Sequence, residues 1–131
     1  MATQTTPTAG LTLDIKKRRF RITSKTFQII NTPEYFRFLV NPGSKGLVIE
    51  ECTETTKGAY QLSKVPHHRG CYELTSKSLM NELMLCAGFT GTDTIRLEGQ
   101  RIKGQNALFF RLAQIPECVP PILSEKEDKH G

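Results

Sequence analysis

The sequence predicts an α+β fold in which two strand–helix–β-hairpin repeats pack into one small barrel-like domain. The tripeptide Thr-Ser-Lys occurs at residues 23–25 and again at residues 75–77. Each copy follows a short alternating run and precedes a helix-like segment, an alternating strand, a glycine-containing turn and a second apolar strand. Because this order of periodicities recurs, we interpret the chain as two repeats, about 18–52 and 71–112.

The composition of the chain ends sets the limits of the domain. The chain has 131 residues, enough for one domain with its own core. Residues 1–10 are small and polar and are predicted to form a disordered tail. Residues 11–115 are predicted to form a single domain. Residues 116–131 contain two adjacent prolines and end in mixed charge, and we expect them to be a flexible tail.

The first strand runs into a strongly basic segment. Leu11–Ile15 alternates apolar and polar residues, as a half-buried strand does. Side chains point to opposite faces of a strand in turn. Phe20 and Ile22 are therefore predicted to enter the core, and Arg19 and Arg21 to form a ladder that faces solvent.

A short helix and a hairpin complete the first repeat. Ser24 is a candidate N-cap, and the helix is predicted to end before Pro33. Tyr35–Val40 and Leu47–Cys52 are rich in β-formers, and the segment between them, Asn41–Gly46, is dense in turn formers. These features predict a β-hairpin.

The linker between the repeats contains adjacent histidines. Residues 53–69 include a possible short strand at Ala59–Leu62. His67 and His68 lie in a predicted loop, where they could be metal or acid–base groups or part of a solvated turn. Chain neighbours rarely converge on one ion and no third ligand is close in sequence, which favours the solvated turn.

The second repeat has the longer helix. Ser76 is a candidate N-cap and Gly88 a C-terminal stop. Between them a single apolar stripe recurs at helical spacing, which predicts a core-facing helix. Thr94–Glu98 and Ala107–Leu112 are the predicted closing hairpin, and the turn between them is basic. The residues of the stripe are Leu79, Met80, Leu83, Met84 and Ala87.

Cysteine spacing and hydropathy indicate the cellular compartment of the protein. The four cysteines are widely spaced without a Cys-x-x-Cys pair, so we interpret them as reduced structural thiols rather than a disulfide or metal site. No apolar run is long enough to span a membrane and no signal peptide is recognisable. We expect a cytoplasmic protein. The cysteines are Cys52, Cys71, Cys86 and Cys118.

Positive charge is concentrated near the start of the chain. The net charge is +5 and the isoelectric point about 9.2. Six of the 18 Lys and Arg residues lie within residues 16–25, with no acidic residue among them. Such a cluster indicates a basic end that attracts polyanions. The alternative is that the cluster has no ligand and is a solvated strand edge whose charge discourages aggregation.

Three segments carry a resemblance to a known family: Arg19–Ile22, then Gly88-Phe89, then Gly91–Ile95. Through them the repeat unit resembles the SpoVT/AbrB swapped-hairpin family of transcription regulators, and its tandem arrangement is similar to the MraZ branch. The resemblance implies a DNA-binding regulator whose arginines near the strand–helix junction contact DNA. Arg19, Arg21 and Lys25 lie at comparable places here.

The predicted function is therefore non-enzymatic binding of nucleic acid, most simply DNA, by an AbrB/MraZ-like regulator. Base reading needs side chains presented in a groove, and the basic hairpin turn adds candidates for this role. The predicted assembly is a monomer or a homodimer, with no cofactor and no metal. The predicted contact residues are Lys16, Lys17, Arg18, Arg19, Arg21, Lys25, Arg101 and Lys103.

Other functions remain open from the sequence. The sequence has none of the common catalytic motifs: it contains no phosphate loop, no nucleophile elbow and no paired carboxylates near a histidine. A thiol–imidazole pair of Cys71 with His67 or His68 lacks an orienting third group. The main alternative is a small phage or mobile-element inhibitor or adaptor that binds a host protein or nucleoprotein. An AbrB-like antitoxin, whose tail after Pro116 holds a toxin, is a third possibility.

Overall fold

The structure, a computed structural model, describes residues 8–88 and 94–112. Within these ranges nine strands form one antiparallel sheet in the order β5-β3-β4-β9-β8-β1-β2-β7-β6. The strands are β1 (Ala9–Asp14), β2 (Arg19–Thr23), β3 (Tyr35–Asn41), β4 (Gly46–Glu51), β5 (Tyr60–Gln61), β6 (His67–His68), β7 (Cys71–Thr75), β8 (Thr94–Arg101) and β9 (Ala107–Arg111).

The predicted α+β fold of two strand–helix repeats is wrong. The described chain is largely β, and its sheet curves into a half-barrel. The described helices are short: α1 (Ser24–Ile29), α2 (Lys77–Ala87) and a 3₁₀ turn at Leu62–Lys64. Pairing between distant strands explains the difference. Strand β2 pairs with β7 and β4 with β9, so the segments assigned to the two repeats share one sheet.

Strand β1 lies inside the sheet and was not part of either predicted repeat. It pairs with β2 on one side and with β8 on the other. Ala9, Leu11 and Leu13 are buried on one face of this strand. The strand begins at Ala9, so Ala9 and Gly10 belong to the sheet rather than to the predicted N-terminal tail. Residues 1–7, 89–93 and 113–131 lie outside the described residues, and with them most of the predicted N-terminal tail and all of the predicted C-terminal tail.

The core lies on the inner face of the sheet and is rich in phenylalanine. The rings of Phe20 and Phe38 are 5.5 Å apart, and those of Phe27 and Phe36 are 4.9 Å apart. Phe20 and Ile22 are fully buried, which confirms the side chains predicted to enter the core. Burial of this many large side chains supplies most of the stabilisation of such a small domain.

The two copies of Thr-Ser-Lys cap their helices with different residues. Thr23 caps α1, since its hydroxyl accepts a hydrogen bond from the Thr26 amide, so the predicted Ser24 cap is wrong. Ser76 caps α2 by accepting from the Leu79 amide, as predicted. Gly88 ends α2 in the left-handed conformation, with φ of 76°. Neither helix of the described ranges has the length and apolarity to cross a membrane.

Candidate nucleic-acid interface

Six of the eight predicted contact residues lie at two opposite ends of the sheet, and the other two, Arg19 and Arg21, lie within β2. Asp14 is opposite both Arg19 and Thr94, which places the β1–β2 turn at one end. Ala9 is opposite Gly99, so the β8–β9 turn lies toward the other end. Three of the predicted residues are in the β1–β2 turn and three lie toward the far end. The first group is Lys16, Lys17 and Arg18; the second is Lys25, Arg101 and Lys103.

Hydrogen bonds within the β1–β2 turn fix its backbone, and both of its lysines are exposed. The Arg18 amide donates to the Ile15 carbonyl at 3.2 Å, and the Arg18 guanidinium donates to the same oxygen at 2.6 Å. The Lys17 amide donates to Asp14 Oδ1 at 3.3 Å. Lys16 and Lys17 are exposed, whereas Arg18 is half-buried. The turn therefore presents two adjacent ammonium groups on a fixed backbone.

The start of α2 adds a further cation beside this turn. The Ser76 amide donates to the Arg18 carbonyl at 3.0 Å, which joins the helix start to the turn. Lys77, the first residue of α2, is exposed. We call Lys16, Lys17, Arg18 and Lys77 the basic tip. Lys77 was not among the predicted contact residues, because only the β2–β7 pairing brings it close to the β1–β2 turn. Its place in the recurring Thr-Ser-Lys tripeptide was the available signal.

The arginines of β2 are engaged by carboxylates of the same chain. Arg19 lies 3.1 Å from Asp14 Oδ2 and 3.7 Å from Glu73 Oε1. Arg21 donates through Nε to Glu73 Oε2 at 3.0 Å. Both arginines are on the outer face of the sheet, as the alternation predicted, but they form an ion-pair network rather than an open ladder. Their charge is partly neutralised at short range.

Asp14 is the carboxylate that ties this network to the turn. Partial burial raises the pKa of Asp14, but the hydrogen bond from the Lys17 amide and the nearby Arg19 guanidinium lower it more. The net result is a pKa below the ordinary value of 3.8. Asp14 is thus ionised at neutral pH and continues to pair with Arg19.

The far end of the sheet is less uniformly basic. Arg101 donates to the Gln105 carbonyl at 2.8 Å and to Asn106 Oδ1 at 3.3 Å. The Asn106 side-chain amide in turn donates to Glu51 Oε1 at 2.9 Å. A carboxylate therefore lies next to this hairpin turn. Lys25 and Lys103 are exposed and belong to different elements, α1 and the turn.

A serine and a histidine meet at the edge formed by β6. Ser24 Oγ lies 2.9 Å from His67 Nε2, a contact that the sequence did not predict. Cys71 is opposite His68 in the β6–β7 pair. No carboxylate of the described residues contacts either imidazole, and no group of described residues could hold a metal ion. Cys52, Cys71 and Cys86 form no disulfide among the described residues, and Cys118 lies outside the described residues.

Comparison with known proteins adds no assignment. No protein-family model, curated protein or solved structure matches the chain. Part of the AbrB-like motif, Phe89 and Gly91–Asp93, falls outside the described residues. The placement of charge is therefore the main indication of function among the described residues, and the basic tip is the strongest feature of that placement.

Proposed function

We propose that this is a non-enzymatic nucleic-acid-binding protein that contacts the phosphate backbone of DNA through the basic tip. One observation carries the proposal. Lys16 and Lys17 are exposed side by side on a turn whose backbone is fixed, and neither forms an ion pair with a described carboxylate. Exposed lysines that are held close together gain affinity for phosphates by releasing the counterions of the duplex.

The neighbouring elements support this orientation of the DNA. Lys77 adds a fourth cation, and the amides at the start of α2 contribute partial positive charge at the same place. Arg19 and Arg21 take a different role in the proposal from the one that the sequence predicts. Because they pair with Asp14 and Glu73, they hold β2 and the turn in position while the basic tip contacts phosphate.

The proposed contact positions the protein on the duplex and does not by itself read sequence. Lysine is a flexible point charge, whereas base reading uses planar, multi-donor side chains placed in a groove. Regulation of transcription in the AbrB/MraZ manner is the finer form of the proposal, and the sequence resemblance supports it. A cytoplasmic location accords with a set of described cysteines that form no disulfide.

The test compares two pairs of lysines that change the net charge equally. Binding to a short mixed-sequence DNA duplex is measured by fluorescence anisotropy over a range of salt concentrations. Lys16→Gln with Lys17→Gln is expected to weaken binding and to reduce the salt slope by about 0.9 for each phosphate that the variant no longer neutralises. Lys25→Gln with Lys103→Gln, at the other end of the sheet, is the matched control and is expected to leave the slope unchanged.

Two outcomes contradict the proposal. Equal weakening by both pairs means that net charge alone attracts DNA, without a defined surface. No binding by the unaltered chain even at low salt removes the nucleic-acid function altogether. The protein-binding inhibitor or adaptor then becomes the better interpretation, and a partner protein should be sought.

A further inference from the structure

Among the described residues, strand β3 has an open edge along most of its length. It pairs with β4 from Phe36 to Asn41, but with β5 only at Tyr35 and Phe36. Residues 37–41 therefore have a neighbouring strand on one side alone within the described part of the chain. An open edge of this kind is a ready template for another strand.

The register shows which backbone groups point outward. Cys52 donates to the Tyr35 carbonyl at 3.0 Å, so Tyr35 and every second residue after it direct their backbone groups toward β4. Phe38 and Val40 must then direct theirs away from β4. No described residue hydrogen-bonds to these groups of Phe38 or Val40. The edge thus offers two N–H donors and two C=O acceptors to an added strand.

A large apolar side chain lies at the middle of this edge. Leu39 is 38% exposed, one of two large hydrophobic residues of the described chain that are exposed. It is opposite Val48, which is opposite Phe109, so the three form an apolar row across the outer face of the sheet. The row stops at the open edge. Exposure of an apolar group at the end of such a row indicates a contact that the described residues do not complete.

We propose that a second copy of this chain pairs along the edge, antiparallel, with Leu39 opposite Leu39 on a two-fold axis. The open run of residues 37–41 is bounded by β5 at one end and by Pro42 at the other, and Leu39 is its midpoint. This register places Phe38 opposite Val40 of the second copy, where the outward groups of both strands meet. A contact of this type is isologous and closes as a dimer.

The edge is complementary to itself in charge as well as in register. Arg37 faces Asn41 of the second copy rather than another arginine, and its guanidinium is already paired with Glu50 at 2.7 Å. The opposite edge of the sheet is less suitable for such pairing. There the Glu73 amide already donates to the Pro66 carbonyl at 2.9 Å, and β6 covers part of β7. The observations therefore favour β3 as the strand shared between copies.

Molar mass in solution tests the dimer. The unaltered full-length chain, measured by light scattering over a concentration series, is expected to reach the mass of a dimer. Leu39→Lys places like charges opposite each other on the axis and is expected to abolish the dimer. Leu85→Lys is the matched control, because Leu85 is 85% exposed but lies on α2, and it should leave the dimer intact.

Disulfide cross-linking tests the register independently of any loss of folding. Residues directly opposite in a non-hydrogen-bonded antiparallel pair have Cα atoms about 4.5 Å apart, within the range of a disulfide. Leu39→Cys is therefore expected to give a covalent dimer on mild oxidation, beyond any formed by the unaltered chain or by Leu85→Cys.

Several results would overturn this proposal. A monomer at every concentration, a dimer that persists in Leu39→Lys, or cross-linking no greater for Leu39→Cys than for Leu85→Cys each excludes the β3 dimer. Dimerisation that occurs only after residues 113–131 are removed also excludes the β3 dimer for the full-length protein. In that case the edge would be occupied by the chain itself and not by a second copy.

Discussion

Asp14 decides how much of the basic segment is available to a ligand. Its carboxylate accepts the Lys17 amide with one oxygen and pairs with Arg19 through the other. Glu73 engages Arg19 and Arg21 in the same way from β7. The sequence showed the cations but not their partners, since Glu73 reaches Arg21 only through the β2–β7 register. The local sequence therefore predicts the charge of a residue, whereas the fold determines whether an opposite charge lies close enough to neutralise it.

The stability of the fold should depend on pH through Asp14. Because the folded-state pKa of Asp14 lies below its ordinary value, its stabilising effect is present above about pH 3.8 and is lost as the pH falls through the folded-state pKa. Asp14→Asn is therefore expected to lower the free energy of unfolding at neutral pH and to match the unaltered protein in strong acid. Urea unfolding at the two pH values measures this.

The control removes a carboxylate that no described cation contacts. Glu82→Gln, on the exposed side of α2, should change the free energy of unfolding by a similar small amount at both pH values. A deficit of Asp14→Asn that persists unchanged in acid would mean that the Asp14–Arg19 pair is not the origin of the effect.

At the scale of elements, the sequence predicted strands and helices well and their arrangement poorly. The strand predicted at Tyr35–Val40 matches β3, and the strong helix matches α2, because periodicity and turn residues are local signals. The short strand suggested at Ala59–Leu62 matches β5. The pairing of β2 with β7 has no local signal in the sequence. Because this pairing could not be predicted, the chain was wrongly interpreted as two repeats.

The cap of α2 should make a measurable contribution to stability. Ser76→Ala removes the acceptor of the Leu79 amide and is expected to cost about 1 kcal/mol in the free energy of unfolding. Chemical denaturation measures the difference. Ser78→Ala, an exposed serine in the same helix, is the control and should have little effect or stabilise the helix slightly. Equal losses in the two variants would contradict the assignment of Ser76 as the cap.

The contact of β8 with β9 depends on the absence of a side chain at Gly99. A Cβ atom built there would lie 2.5 Å from the Phe109 carbonyl oxygen and 2.6 Å from the Phe110 ring. Since a backbone atom cannot rotate away, Gly99→Ala is expected to cost about 1–3 kcal/mol of the free energy of unfolding. Gly10→Ala, where a Cβ meets nothing within 4 Å, is the matched control. A loss as large for Gly10→Ala would refute the steric explanation.

At the scale of the whole molecule, residues that cluster in sequence need not cluster on the surface. A strand advances about 3.3 Å per residue, so β2 separates Arg18 from Lys25 by most of the length of the sheet. The basic run that the sequence predicted as one site is thereby split between two ends. Lys77 joins the basic tip from a distant part of the chain. Charge composition was predictable, whereas the surface that concentrates it required the strand order.

Mapping the contact surface on the full-length protein tests the central claim most directly. Backbone amide chemical shifts are recorded by NMR at low salt while a short DNA duplex is added. We predict that the largest changes occur at Lys16, Lys17, Arg18 and Lys77. Changes centred instead on the far end, at Lys25 and Lys103, or no change at any amide, would contradict the proposal that the basic tip binds DNA.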